Sequence, residues 1–357
     1  MTYVNLFYGW VRQEIFAIPG RIIAVIFLCF LFAAPLITQE SYYLRIIILA
    51  CIFAIFAMSW DVLFGFTGQL NLGHGLFFGA GAYAAAFLNL HLHWAPWLTI
   101  PAGAVIGLGF GLIVCIPALR LRGMYLGLVT LSLPIIAAGL LYVFPDVTGG
   151  ELGLYGLEGL SRSINVSYYV VVVVFLVSAY IMYKLTDIEN KHVRLGILFC
   201  AIREDEIAAR TSGINTNHYK LIAFVVSGLF AGIAGGLYAH FLRSAGPSML
   251  TLFFSFQVIL WCTFGSTATI YGGVVGVFIL YPMTEVLSLF QWGENLRYII
   301  FALILMVTLF FMPEGITKWI LDKLETKCPR CKLVNFSLRK RCRGCRAELN
   351  AGPVKVQ

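Results

Sequence analysis

Charge is what this sequence has least of. Asp, Glu, Lys and Arg make up only 12% of its 357 residues, against 60% hydrophobic ones, and its mean hydropathy is +0.87. That scarcity excludes a soluble globular domain, whose water-facing surface needs far more charge. Repeated apolar runs long enough to cross a bilayer predict an all-α polytopic membrane protein instead. The chain also contains no G-x-x-x-x-G-K-[ST], so it has no phosphate-binding loop of its own. Within the apolar runs the notable ionisable groups reduce to Asp61, His74, His240 and Glu285. A proton- or sodium-driven carrier needs a coupling-ion site or an acidic relay, and four scattered groups are thin material for either. No convergent catalytic set stands out, so no residue is assigned a catalytic role. Acidic residues number 17 against 25 Lys and Arg, but 11 of the 25 lie after Pro313. The +8 balance therefore belongs mostly to the tail.

The apolar runs predict about ten spans: 21–37, 43–64, 70–89, 97–117, 123–143, 167–184, 219–242, 251–268, 270–289 and 296–312. The stretches 70–89 and 251–289 leave room for broken or re-entrant segments, which survive at membrane depth only when shielded by protein or water. Arg12 and Arg21 ahead of the run Ile22–Ile37 imitate a secretion signal, but further spans follow at once, so a first span is expected rather than a cleaved leader. With the N-terminus inside, 21 basic residues fall on the inner side and four (Arg45, Arg162, Arg243, Arg297) on the outer. This positive-inside bias predicts a multi-pass plasma-membrane protein with both termini cytoplasmic.

Residues 68–83, GQLNLGHGLFFGAGAY, are too apolar for a surface loop and too rich in glycine for a lipid-facing helix. Gly73, Gly75, Gly79 and Gly81 permit close backbone approach inside a bundle. Gln69, Asn71 and His74 add polar groups that cannot be buried unpaired. The stretch is either a tightly packed helix start with a satisfied histidine or the lining of a pathway. Further on, Gly228, Gly232 and Gly236 recur every four residues, which puts them along one side of a helix pressed against a neighbour.

Two loops are long. The outer one, 144–162, holds Asp146, Glu151 and Glu158 against a single Arg162, with glycines at 149, 150, 153, 156 and 159. The inner one, 184–220, contains Glu204, Asp205 and Glu206 followed by Arg210, the charge order that suits a helix dipole. Gly213 supplies a left-handed cap, and Asn215 or Thr216 can cap the next helix. About nine helical residues at 1.5 Å each, roughly 14 Å, lie across a surface rather than span it.

Three blocks carry a resemblance: 68–83, then REDEIAARTSGI and NTNHYKLIAFVVSGLFAGIAGGLY at 203–238, then GSTATIYGGVVG at 265–276. They resemble the membrane permeases of branched-chain amino acid ABC importers over roughly residues 45–312. The resemblance implies a type II ABC importer permease-like fold and a domain over 1–317. It also implies a second permease subunit, two ATP-binding subunits and an extracytoplasmic substrate-binding protein. Glu206, Ala208, Ala209 and Gly213 match the coupling segment that sits in a cleft of the ATPase. Thr148-Gly149-Gly150 makes the outer loop a candidate dock for the binding protein. The implied function is inward movement of branched-chain or related amino acids. Urea or short-chain amides, and a self-contained channel or secondary carrier, stay open as alternatives.

Beyond a linker at 318–327 the chemistry changes. Cys328, Cys331, Cys342 and Cys345 form CxxC, ten residues, CxxC, two knuckles that can converge on one tetrahedral site. The inner location argues against disulfides. So small a module, 328–348, depends on metal for its folding energy, and four protein ligands make the site structural rather than catalytic. Zinc is the expected ion, with iron as the alternative. The module resembles the zinc ribbons appended to many proteins and lies outside the permease pattern. Its basic residues (among them Lys327, Arg330, Arg339 and Arg346) suit anionic lipid or a protein partner better than nucleic acid, because interleaved aromatics are lacking. The other cysteines, Cys29, Cys51, Cys115, Cys200 and Cys262, are scattered and read as packing residues.

Overall fold

The computed structural model describes residues 19–38, 40–121, 123–187, 193–289, 299–300, 302–303, 306–307, 310–328, 331, 334–337, 342, 345 and 348–349. The described residues are mostly helical. In order come α1 (Pro19–Ile37), α2 (Ser41–Asp61, prolonged by a π-helical turn Val62–Phe66), α3 (Gly75–Leu92), α4 (Pro96–Ala118), α5 (Met124–Val143) and the single turn α6 (Pro145–Thr148). After strand β1 (Leu154–Tyr155) follow α7 (Ile164–Thr186), α8 (Leu195–Glu204), α9 (Glu206–Thr211) and α10 (Thr216–Leu242). Strand β2 (Ser244–Ala245) and the 3-10 turn Pro247–Leu250 lead into α11 (Leu252–Gly265) and α12 (Ile270–Leu289). The last elements are α13 (Ile316–Leu324), β3 (Glu325–Lys327) and β4 (Val334–Phe336).

Among the described residues seven helices are long and apolar enough to cross a membrane: α2 with its π turn, α3, α4, α5, α7, α10 and α12. Two further expected spans are shorter apolar helices, Ile22–Ile37 and Leu252–Gly265. The 14 residues of α11 reach about 21 Å at 1.5 Å each, short of the ~30 Å hydrocarbon core. The run 251–268 is thus a half-length helix. It turns at 265–269 and returns as α12. Eight of the 17 residues of the tenth expected span, 296–312, lie outside the described residues, as do Arg12, Arg122, Lys191, Arg297 and the tail residues Arg330, Lys332, Arg339, Lys340, Arg341, Arg343 and Arg346.

The described chain falls into two compact units, residues 40–315 and a second one made of α1 with the residues from 316 onward. In the larger unit α2 is the axis: every residue from Ile48 to Asp61 is buried. It packs on α7, α10, α11 and α12. Beside it α3, α4 and α10 form a sub-bundle whose backbones touch. A Cβ on Gly81 would stand 2.5 Å from the Gly232 Cα, one on Gly107 2.4 Å from the Gly228 oxygen, and one on Gly103 2.6 Å from the Gly81 oxygen. Small residues at helical spacing therefore create this contact, because any side chain would push the helices apart. Of the expected stripe, Gly228 and Gly232 face α4, while Gly236 faces Ile100 and Ala85.

In the second unit, residues 318–327, read from sequence as a linker, fold as most of α13 and all of β3. Strands β3 and β4 pair antiparallel, Glu325 opposite Phe336 and Lys327 opposite Val334. Cys328 and Cys331 therefore sit in the turn that joins them.

Candidate functional site

Three places gather the residues singled out above. The first is the inner loop. Asp205 caps α9, its Oδ1 accepting from Ile207 N (2.8 Å) and Ala208 N (3.0 Å). At the other end Gly213 (φ 85°) donates to Arg210 O and Ile214 donates to Ala209 O, a Schellman closure. Both ends of a helix only six residues long are thereby satisfied, which is what lets it persist. Asn215 then caps α10 by accepting from His218 N.

Glu206 fastens this short helix to the bundle. Its Oε2 lies 2.8 Å from Lys220 Nζ on α10, and its Oε1 lies 2.9 Å from Arg210 Nη2. The Lys220 side chain is only 2% exposed. Ala209 is buried, while Ile207 (62% exposed), Ala208 and Gly213 face outward. The expected coupling residues thus divide: Glu206 and Ala209 hold the helix in place, and Ala208 with Ile207 present its outer surface. Lys220 was invisible as part of this site in the sequence, where it reads as one more basic residue at a membrane border. In the preceding helix, burial pushes the Cys200 thiol pKa up, with Arg203 lowering it and Glu204 raising it, so Cys200 stays a protonated packing residue.

Arg203 continues the linkage. Its Nη1 donates to Gly65 O (2.6 Å) on the π turn of α2. Four residues earlier, buried Asp61 accepts from Ala268 N (2.9 Å) and Thr269 N (3.0 Å). Asp61 therefore caps the 265–269 turn between α11 and α12, where Ala268 has φ 60°. A Cβ on Gly65 would collide with this carboxylate, so glycine is required at the crossing.

The second place is 69–75. Trp60 Nε1 donates to Asn71 O (2.8 Å), and Gly73 N donates to Asn71 Oδ1 (2.9 Å). The Ser59 hydroxyl donates to Phe56 O, so His74 must donate through Nε2 to Ser59 Oγ (2.9 Å). Asn71 Nδ2 then donates to His74 Nδ1 (3.3 Å), and the imidazole is neutral with both nitrogens used. The Phe56 ring stacks on it at 5.0 Å. Gln69 turns back on Thr67 O. Gly73 meets the Thr130 backbone, Gly75 donates to Ser255 Oγ (3.1 Å), and Gly79 faces Leu250. Asn71, Gly73, His74 and Gly75 are thus brought together as a solid packed knot joining α2, α3, α5 and α11.

The outer loop is likewise anchored. β1 pairs with β2 (Leu154 opposite Ala245), and Glu158 N donates to Asn89 Oδ1 at 2.9 Å. His240 Nδ1 donates to Glu158 O (2.7 Å), leaving Nε2 to accept from Thr99 Oγ1 (2.6 Å). Gly149, Gly150 and Gly153 all take left-handed φ values (75°, 58° and 78°). Asp146, Glu151, Leu152 and Tyr155 are exposed on the resulting surface.

The third place is the tail. The Sγ atoms of Cys328, Cys331, Cys342 and Cys345 all lie within 4.8 Å of one another, with 3.5 Å between Cys328 and Cys345 and 3.4 Å between Cys331 and Cys342. Ligands about 2.3 Å from a central zinc in a tetrahedron stand about 3.8 Å apart, so the four thiols fit one metal ion. Asn335 Nδ2 donates to Cys342 Sγ (3.5 Å), the kind of outer contact that orients a ligand.

Comparison with known proteins adds an independent line. The family model described as "Branched-chain amino acid transport system / permease component" matches residues 42–309. The chain is 28% identical over 347 residues to the high-affinity branched-chain amino acid transport system permease protein LivM of Salmonella typhimurium, covering 90% of this chain and 79% of that protein. It is 27% identical over 341 residues to LivM of Escherichia coli, covering 89% and 78%. The probable branched-chain amino acid transport permease protein LivH of Methanocaldococcus jannaschii is 24% identical over 294 residues, covering 76% and 90%. No solved structure gives a significant match.

Proposed function

The chain belongs to the branched-chain amino acid transport system permease family, and from that premise we propose that it works as one of two permease subunits in an ABC importer. In this reading it moves branched-chain or related amino acids inward, with ATP hydrolysed by two partner subunits and substrate delivered by an extracytoplasmic binding protein. Both termini face the cytoplasm, and the acidic outer loop 144–162 receives the binding protein. The single observation that carries the reading is α9. A six-residue helix capped at both ends and tied to a span through a nearly buried ion pair is a rigid lever, and its exposed face is small and smooth enough to enter a cleft. A self-contained carrier is disfavoured, because Asp61, His74 and His240 are occupied by structural hydrogen bonds and do not form a relay.

The division of roles on α9 gives a test. Ala208→Arg is expected to leave expression and assembly of the permease intact while cutting substrate uptake by about tenfold or more, since it alters only the outer surface. Ala209→Arg forces a charge into a buried position and is expected to lower the thermal midpoint as well, by about 2 kcal/mol in stability. Uptake in proteoliposomes, beside thermal unfolding of the purified complex, separates the two. Normal uptake by a well-assembled Ala208→Arg variant would remove α9 from the ATPase interface.

The tail is proposed to hold one structural zinc ion on Cys328, Cys331, Cys342 and Cys345. Metal analysis of the purified full-length protein is expected to give about one zinc per chain, falling to background in a Cys342→Ser/Cys345→Ser variant. Equal metal in both proteins would exclude the site, and iron in place of zinc would keep the geometry but change the chemistry.

A further inference from the structure

Of the four ionisable groups noted within the apolar runs, three are consumed by structural bonds. Asp61 caps the 265–269 turn, His74 closes the Ser59–Asn71 knot, and His240 holds the outer loop. Glu285 on α12 is the exception. It lines a cavity of about 570 Å³ that also contains Arg45 from the first turns of α2. That volume lies within the ~300–1,000 Å³ typical of small-molecule sites.

The two charges are arranged as a pair waiting for a third party. Tyr281 donates to Glu285 Oε1 at 3.0 Å, which fixes the carboxylate's position while leaving Oε2 without a partner among the described residues. Arg45 makes no ion pair with any described residue, Glu285 included. Arg45 is exposed at the start of α2 and Glu285 is half-buried, and convergent polar groups in one cavity are what orient a small ligand. Here they line one cavity and remain apart. A cation would satisfy Glu285 alone and an anion Arg45 alone, whereas a zwitterion satisfies both. The rest of the wall mixes polar side chains (Ser248, Thr251 and Gln257) with one apolar cluster. Phe53 packs on Tyr281 (5.1 Å), Tyr238 (5.7 Å) and Phe254 (6.1 Å), with Leu49 and Met249 beside them. That surface matches an aliphatic or aromatic side chain.

We propose that this cavity receives an α-amino acid zwitterion during transport, Arg45 taking the carboxylate, Glu285 the ammonium group, and the Phe53 cluster the apolar side chain. The proposal rests on the amino acid permease reading and adds to it a site within this chain.

Ser248, exposed at the mouth of the cavity, supplies a reporter position. The complete transporter carrying Ser248→Cys, reconstituted in proteoliposomes without binding protein, would be labelled with a membrane-impermeant maleimide. Labelling of the unsubstituted transporter is subtracted. Millimolar leucine is expected to slow labelling about threefold by mass action. Leucinamide, lacking the carboxylate, and isocaproate, lacking the ammonium group, are expected to leave the rate unchanged. In the same background Arg45→Gln and Glu285→Gln each abolish protection by leucine. In the otherwise native transporter each lowers leucine uptake about tenfold while ATPase stimulation by loaded binding protein is kept. Equal protection by all three compounds, protection by none, or protection retained in either Gln variant overturns the proposal. Leucine uptake by the unsubstituted transporter reports separately on the permease reading. Uptake without thiol protection sinks the cavity site alone. No uptake of any amino acid sinks that reading and the cavity site with it.

Discussion

Gly232→Leu is expected to prevent assembly of the permease in the membrane. A Cβ at this position would stand 2.7 Å from the Gly103 oxygen, 3.0 Å from the Ala104 Cα and 3.2 Å from the Gly107 Cα, all of them backbone of α4. Backbone cannot rotate out of the way as a flexible side chain can. Overpacking of a core typically costs about 1–3 kcal/mol, and a leucine driven between two helix backbones belongs at the upper end or beyond. Gly81→Leu on α3 is expected to behave alike, since its Cβ would meet Gly232 itself at 2.5 Å. The controls are Gly109→Leu and Gly139→Leu, at which nothing in this chain lies within 4 Å of the added Cβ. They are expected to stay within about 0.5 kcal/mol of the parent. Yield and monodispersity of detergent-purified protein, with thermal unfolding, measure all four. A well-assembled Gly232→Leu protein would show that the α4–α10 contact is not tight in the membrane.

The second large effect is asymmetric. Glu206→Leu leaves the Lys220 ammonium nearly buried with no ion-pair partner among the described residues, whereas Lys220→Met leaves Glu206 still bonded to Arg210. Removing one member of a buried pair costs about 3–5 kcal/mol, while replacing both by apolar groups is often neutral. Glu206→Leu should therefore be severe, Lys220→Met mild, and the double variant close to the parent in stability. Uptake follows a different order, because Glu206→Leu frees α9 from α10 and should uncouple ATP hydrolysis from transport. Thermal midpoints of the three variants, beside uptake and ATPase rates, decide the matter. Equal destabilisation by the two single changes would mean that the pair does not anchor the helix.

Much of this was written in the chain. Apolar run length gave α2, α4, α5, α7 and α10 with near-correct ends, because a membrane span is defined by length and hydrophobicity alone. Capping was legible too: Gly213 closes α9 and Asn215 opens α10, each acting on neighbours a few residues away, while Asp205, read only for its charge, turned out to be the N-cap of α9. The paired CxxC spacing likewise announced a four-thiol cluster before its geometry was seen. The half-length of α11 was harder: the sequence marked a break near 269 and left room for a re-entrant segment, but the turn itself is set by Asp61, some 200 residues earlier.

What the sequence determined by itself was class: helices, spans, a capped inner helix, a cysteine module and family membership. Only the tertiary structure decided roles. His74 stands among glycines in a stretch that could line a path, yet Ser59 and Asn71 fill both its nitrogens and make it a strut. Glu206 matches a coupling position, yet its carboxylate turns inward to Lys220. Arg45 and Glu285, 240 positions apart, carry no common signal along the chain and line one cavity only because α2 packs against α12. The reason is physical. Hydrophobic length and capping are short-range properties of the chain, whereas the satisfaction of a buried polar group depends on which distant residue packing brings beside it.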